Sequence, residues 1–462
     1  MRAAKTLRNA APVPTGDLKT RVHAYPQELV SFILDLQKDP LFMEGFHANG
    51  IVQPGLLPER AVLEQVISVC YQASLLREEE RPIMFRLIIC DPEILPAHEG
   101  PPTGLQPLKF AKTRPFNEFE LHRLTPAVDF SRMLVGVSLD QKNTPQIWGI
   151  INSGNRWLQD VLGGRKTGPP LPPVPLIYVT GPGQISVGLG PKVIASLNGG
   201  QINYPSLDVF EGRWLTESFA SVRSEMMELH TAARARAKKP WARLDPGFGR
   251  MVAQQVVRRI ISVIRNSRHG GMLVYLPPEM GPELESPKRY LSIKYHFRED
   301  EPRQRFRTLM LRIINTSAEL LADPHDPGKV IGWEDYVTCQ REEIAVLDEA
   351  IFDLAYFIAS LSAIDGAVIL TKRSDLLGFG GFILGDVDEV RTVARALDTE
   401  GDQIETELSE GVGTRHRAAY RLCHELHDAF AIVISQDGDV RFVKWHNGSV
   451  TYWNQAPTGI PG

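Results

Sequence analysis

Cysteine is scarce in this chain. Its 462 residues include four, Cys70, Cys90, Cys339 and Cys423, with no C-x-x-C pair and no Cys-to-His spacing of a zinc site. Disulfide frameworks and zinc modules are thereby excluded, and the four read as reduced, buried thiols of a cytoplasmic protein. Long apolar runs are also missing. The longest, Ala350 to Ile364, spans about 15 residues and contains Asp353, whereas a membrane span needs about 20. It predicts a buried helix and no membrane span. The opening MRAAKTLRNAAPVPTG is basic without an apolar core, so it does not read as a secretory signal, and 1–20 is expected to be a flexible tail. Neither charge dominates, with 51 Lys plus Arg against 55 Asp plus Glu. That excludes a dedicated nucleic-acid or polybasic membrane binder, so any anionic ligand must be held by a local cluster.

What is present is ordinary globular usage, 43% apolar and 23% charged, at a length that predicts two or three domains. Pro and Gly cluster at 100–107 and 163–175, marking surface connections. The expected division is an N-terminal domain over 21–205, a connecting helix or linker over 206–245 and a C-terminal region over 246–462. Strands rich in Val and Ile, interleaved with amphipathic helices, predict an α/β (α+β) class with mixed sheets covered by helices. The two halves repeat one order of elements. Ile177, Val179, Thr180, Gly183, Ile185 and Val187 align without a gap with Ile432, Ile434, Ser435, Gly438, Val440 and Phe442, each set forming two strands about a turn. A duplicated unit explains this, as do two unrelated domains with locally similar hairpins.

Chemistry concentrates in the second half. In GVGTRHRAAYRLCHELHDAF, apolar residues at helical spacing follow a Gly-flanked turn, which places Gly413, Thr414, Arg415, His416 and Arg417 at a helix N-terminus. Free N–H groups there favour anions, and two guanidinium groups, a hydroxyl and an imidazole beside them suit a polyphosphate. The plainer alternative is an N-cap Thr with solvated basic residues. Upstream, AIDGAVILTK sets Asp365 before a strand, beside the small Gly366 and Ala367. Such a carboxylate suits Mg²⁺ or Mn²⁺ bridging phosphates, or it caps a turn. His269-Gly270-Gly271 reads as a turn opening a strand, with phosphate approach as its alternative. His424, Glu425, His427 and Asp428 read as a polar helix face rather than a metal site.

DGA followed about 45 residues later by GTRHRAA, a helix, and an apolar strand ending in Ser before an acidic residue and a Gly turn resembles the diadenylate cyclase (DAC) domain family. The likeness runs from Leu347 to Tyr452. It implies condensation of two ATP molecules into cyclic di-AMP with release of two pyrophosphates, across a face-to-face homodimer or higher homo-oligomer. It further implies catalytic roles for Asp365, Arg415 and His416. ATP contacts would come from Gly366, Ala367, Gly413, Thr414, Arg415, His416, Arg417 and Ser435, and metal contacts from Asp365 and Asp437. The family's acidic pair after the strand serine reads Gln436-Asp437 here. In place of its adenine segment stands LLGFGGFILGD, where Leu377, Phe379 and Phe382 are the candidates to line a base. An acidic insert from Val387 is expected to form a helix and loop, either a lid or a solvated surface. The first half has LVGV (Leu134 to Val137) where DGAV would stand, which predicts a regulatory domain sensing an unknown ligand. Two alternatives stand beside the cyclase: a silent ATP or cyclic di-AMP sensor, and a nucleotidyltransferase passing AMP to another acceptor.

Overall fold

The computed structural model describes residues 23–38, 57–95, 100–165, 168, 171–190, 192–203, 208–280, 290–326, 328–384, 389–436 and 438–455. The expected tail over 1–20 lies outside these. Buried apolar residues sort into cores that divide between Ile202 and Val209. Val209, Phe210, Trp214 and Leu215 pack into the second unit. All four cysteines are free and buried, and among the described residues no helix is long and apolar enough to cross a membrane.

The first unit is an eight-stranded sheet. Its strands are β1 (Phe85–Ile89), β2 (Gln106–Pro115), β3 (Met133–Leu139), β4 (Pro145–Asn152), β5 (Pro175–Gly181), β6 (Gln184–Leu189), β7 (Lys192–Asn198) and β8 (Gln201–Asn203). Helices α1 (Pro26–Leu36) and α2 (Arg60–Leu75) cover one face. α2 buries Leu63, Val66, Ile67 and Cys70, the spacing of one helix face.

A nine-stranded sheet forms the second unit. It holds β9 (Gly271–Leu276), β10 (Leu291–His296), β11 (Ala367–Thr371), β12 (Leu376–Ile383), β13 (Thr392–Ala396), β14 (Ile404–Leu408), β15 (Phe430–Ile434), β16 (Val440–His446) and β17 (Ser449–Gln455). Helix α3 (Ala220–Arg236), in the stretch expected to be a connecting helix, packs with the second unit through Met226, and α4 (Phe248–Asn266), α5 (Asp300–Leu320) and α6 (Glu342–Leu361) pack on one face. α6 holds most of the apolar run foreseen as a buried helix, and turns Ile344, Leu347, Ile351, Ala355 and Ile358 inward. Helix α7 (Thr414–Glu425) packs alone on the opposite face.

One sheet plan is used twice. The first sheet runs β2-β4-β3-β1-β5-β6-β7-β8 and the second β10-β12-β11-β9-β15-β16-β17-β13-β14. The first seven positions agree in strand direction as well as order. In both, the central strand pairs parallel with one neighbour (β1 with β3, β9 with β11) and antiparallel with the other. Register extends the match. Leu87 faces Ile177 and Val135, while Leu273 faces Ile432 and Val368. Counting back along β3 and β11 puts Arg132, not Leu134, in the place of Asp365.

The acidic insert differs from its expected helix. β13 and β14 form an antiparallel hairpin that extends the sheet beside β17. Alternation in Thr392–Ala396 and Ile404–Leu408 suits a strand. The turn is fixed by Asp398, whose carboxylate accepts from the N–H groups of Asp402 (3.0 Å) and Gln403 (2.9 Å).

A buried arginine joins the units. Arg165, in the Pro/Gly connection, donates to the main-chain oxygens of Tyr336 (3.2 Å) and Cys339 and lies 3.6 Å from the Asp348 carboxylate. Tyr336 donates its hydroxyl to the other Asp348 oxygen at 2.9 Å, and burial together with Asp348 pushes that phenol well up. Removing one member of a buried pair leaves the other charge uncompensated. Arg165→Met is therefore expected to lower stability by about 3 kcal/mol in urea unfolding and to expose the connection to protease. Arg165→Met with Asp348→Asn should cost clearly less than the two single losses added.

Candidate nucleotide site

The site lies at one end of the second sheet. β9 and β11 begin there, and β15, antiparallel to β9, ends there, with Gly271 facing Ile434. Three loops converge as a result: His269-Gly270, Asp365-Gly366 and the 435–439 turn. Gly270, at φ +65°, permits the approach. A Cβ on it would stand 2.8 Å from the Ile434 oxygen and 3.2 Å from both Arg415 Nη1 and the Gln436 nitrogen. Gly366, at φ +111°, passes equally close to Gly380 and Gly381.

Asp365 projects into solvent, its side chain 94% exposed, and its carboxylate is 3.8 Å from Arg415 Nη2. At that distance and exposure the pair contributes little, which leaves both groups available to a ligand. Arg415 is half-buried between Asp365 and the Gln436 main chain. The cap of α7 is Gly413, not Thr414, and no side chain caps the helix. Thr414 occupies the first helical position and is exposed. No acidic residue stands in the first turn, so the positive end of the helix dipole faces the cleft.

Helix geometry turns His416 away from its neighbours. Successive side chains rotate by about 100°, so Thr414 and Arg417 face solvent while His416 is only 8% exposed. Neither of its ring nitrogens has a hydrogen-bond partner among the described residues. Burial, then Arg441 and Arg415, holds the imidazole down to about 4, neutral near pH 7. Arg441 Nη1 donates to the Tyr420 hydroxyl at 3.0 Å, and its guanidinium stacks 4.5 Å from the Tyr452 ring. Tyr452 in turn donates to Glu407 at 2.6 Å, and Glu407 pairs with Arg395 at 3.1 Å. The β13–β14 hairpin thus supports the helix from below.

Ser435 closes its own turn, donating its N–H to the Asp439 oxygen (2.8 Å) and accepting from the Asp439 N–H on its hydroxyl (3.0 Å). Ala367 is fully buried at the start of β11. Asp437 lies outside the described residues. The three adenine candidates are not brought together. Bulges between β11 and β12, with Gly380 at φ +64°, put Leu377 in the core beneath α7 and Phe379 against the opposite core, stacked on Tyr295 at 4.7 Å. Phe382 is half exposed. His424 and His427 lie against Trp445, with ring centroids at 5.4 Å and 4.1 Å. Among the described residues no His, Cys, Asp or Glu cluster could by itself hold a metal.

Two residues escape a reading of motifs. Arg265, in the last turn of α4, lies beside Gly438, and burial lowers its pKa against the opposing pull of Asp439. Arg441 faces α7 from within the apolar strand VRFV. A cation at a core-facing strand position was its available signal.

Residues 345–447 match the family model described as DisA bacterial checkpoint controller nucleotide-binding (DAC). The second unit therefore carries a DAC nucleotide-binding domain, and Asp365, Gly413 to Arg417 and Ser435 fall within the matched span. Residues 53–152 match the model described as Probable sensor domain DACNV, so the chain joins a DAC domain to a sensor domain of that kind. No curated protein and no solved structure matches the chain. In the sensor unit the corresponding sheet end is filled. Arg86 donates to the Phe130 oxygen and the Ser153 hydroxyl, both at 2.9 Å, and its guanidinium lies 3.6 Å from the centre of the Trp157 ring.

The His416 environment sets a pH dependence. Its folded pKa is depressed, so the unfolded chain takes up a proton at higher pH than the folded one. The stability held by neutral His416 is full above about 6.5 and falls as pH drops from about 6.5 to about 4, by ~3 kcal/mol. Urea unfolding of His416→Gln should show a flatter acid limb than the parent chain. Parallel limbs would remove His416 from this account.

Proposed function

We propose that the chain is a diadenylate cyclase, joining two ATP molecules into cyclic di-AMP and releasing two pyrophosphates. The observation that carries this reading is the convergence of the Asp365 carboxylate, the Arg415 guanidinium and the uncapped N-terminus of α7 on one open sheet end. Thr414, Arg415 and the first N–H groups of α7 hold the triphosphate, neutralising charge as it builds on the α-phosphate and pyrophosphate. Arg417, exposed on the same turn, adds to the field. His416 is a neutral group beneath the phosphates and does not contribute a cation.

Asp365 is an exposed carboxylate with no hydrogen bond to any described residue, and it fits a Mg²⁺ or Mn²⁺ whose other ligands are phosphate oxygens and water. When bound, such an ion neutralises phosphate charge and lowers the pKa of the attacking hydroxyl.

With one such site in each chain, two chains must meet face to face. Each ribose 3′-oxygen then forms a bond to the α-phosphorus of the opposite ATP. The bond from that phosphorus to the bridging β-oxygen breaks, pyrophosphate leaves, and the hydroxyl proton passes to solvent. Catalysis is mostly positioning and charge stabilisation.

Full-length protein incubated with ATP and Mn²⁺ or Mg²⁺ is expected to yield cyclic di-AMP by mass spectrometry, with a specific rate that rises with protein concentration. Bound ATP without product would indicate a silent sensor, and a linear or protein-linked AMP product another transferase. Asp365→Asn should abolish turnover at unchanged melting temperature, because the side chain is exposed and its volume is retained. Arg415→Ala should weaken ATP binding at least ten-fold more than adenosine binding. Equal losses would remove Arg415 from the phosphate.

A further inference from the structure

A second cavity lies on the other face and at the other end of the same sheet. It is enclosed by α3, α4, α5 and the strand residues Tyr275 and Phe430. Its volume is about 150 Å³, room for several water molecules. The floor is aromatic: Tyr275 stacks on Phe430 at 4.6 Å, and Phe219 meets both edge-on. Met226, Ala253 and Val257 are among the apolar walls. Water gains little in such a space, and an empty apolar cavity costs stability.

The rim has the opposite character. Arg223, Arg250, Arg307, Lys372 and Arg373 all border the cavity. Glu225 engages two of them, Arg307 at 3.3 Å and Arg373 at 2.8 Å. Arg223 donates to the Thr216 main-chain oxygen, and neither Arg223 nor Arg250 makes an ion pair with a carboxylate among the described residues; burial, then the field of Arg250, lowers Arg223. Asp245, whose Oδ1 accepts the Gly247 N–H at 2.7 Å, lies near Arg250 without closing to an ion pair. Two neighbouring guanidinium groups, neither of them ion-paired, above an apolar chamber complement one kind of molecule.

We propose that this cavity binds an amphipathic anion, a medium-length aliphatic chain whose single anionic head is held by Arg223 and Arg250. Because Arg223 belongs to α3 and Arg250 to α4, the head group bridges two helices of the second unit. The site is separate from the triphosphate cleft and does not rest on the cyclase reading.

Calorimetric titration of the full-length chain tests this with decanoate and, as its uncharged counterpart, decan-1-ol. One equivalent of decanoate is expected per chain, with decanol at least ten-fold weaker. Arg223→Gln with Arg250→Gln should weaken decanoate at least ten-fold and leave decanol unchanged, and Ala253→Phe should abolish both by filling the chamber. Equal affinity of the two probes, wild-type decanoate affinity in the double arginine variant, or no saturable decanoate heat would each overturn the proposal. Should Ala253→Phe not fold, the double arginine variant, altered only at the rim, decides. Cyclic di-AMP plays no part in these readouts, so either reading can fail alone.

Discussion

The pairing of β9 with a parallel strand on one side and an antiparallel strand on the other governs the nucleotide site. Parallel β11 must begin where β9 begins, and antiparallel β15 must end there. One sheet edge thus collects two strand entrances and one exit, the places where glycine turns and polar side chains are tolerated. The short link between α7 and β15 then fixes the helix. Since β15 runs toward that edge, α7 runs away from it, and its N-terminus is delivered beside Asp365. The placing of the helix N-terminus beside Asp365 follows from topology as much as from GTRHRAA.

The sensor unit shows that the scaffold alone does not make the site. It repeats seven strands in the same order and direction, yet Arg132 stands where the second unit has Asp365. Arg86 and Trp157 occupy the space at that sheet end, with the guanidinium lowered to about 9 by burial. A handful of side chains separates a nucleotide cleft from a packed core on one plan.

Much of this was legible in the sequence. The alternation of Val and Ile strands with amphipathic helices announced two helix-covered mixed sheets, and the ungapped hairpin match from Ile177 and Ile432 proved to be in true structural register. Gly413 to Arg417 showed its helix start because Gly, Thr and basic residues abruptly precede helical periodicity. Three features were not legible. The inward turn of His416 depends on which face of α7 packs, which a five-residue motif does not state. The split of Leu377 from Phe379 depends on bulges, which invert the alternation that sequence reasoning assumes. The hairpin of the acidic insert was hidden because its charged residues resemble a solvated helix until pairing with β17 is known.

Helix α4 connects these observations physically. Its 19 residues span about 28 Å. Near its start, Arg250, Ala253 and Val257 border the apolar cavity. Midway, Arg259 donates to the Gly163 oxygen in the connection from the sensor unit, where Gly163 packs so closely that a Cβ would stand 2.2 Å from the Gln255 oxygen. At its end, Arg265 lies beside the 435–439 turn of the nucleotide site. A packed helix moves as a unit because close-packed interiors transmit displacement instead of absorbing it. The cavity wall, the connection at Gly163 and the 435–439 turn thus all rest against one packed helix.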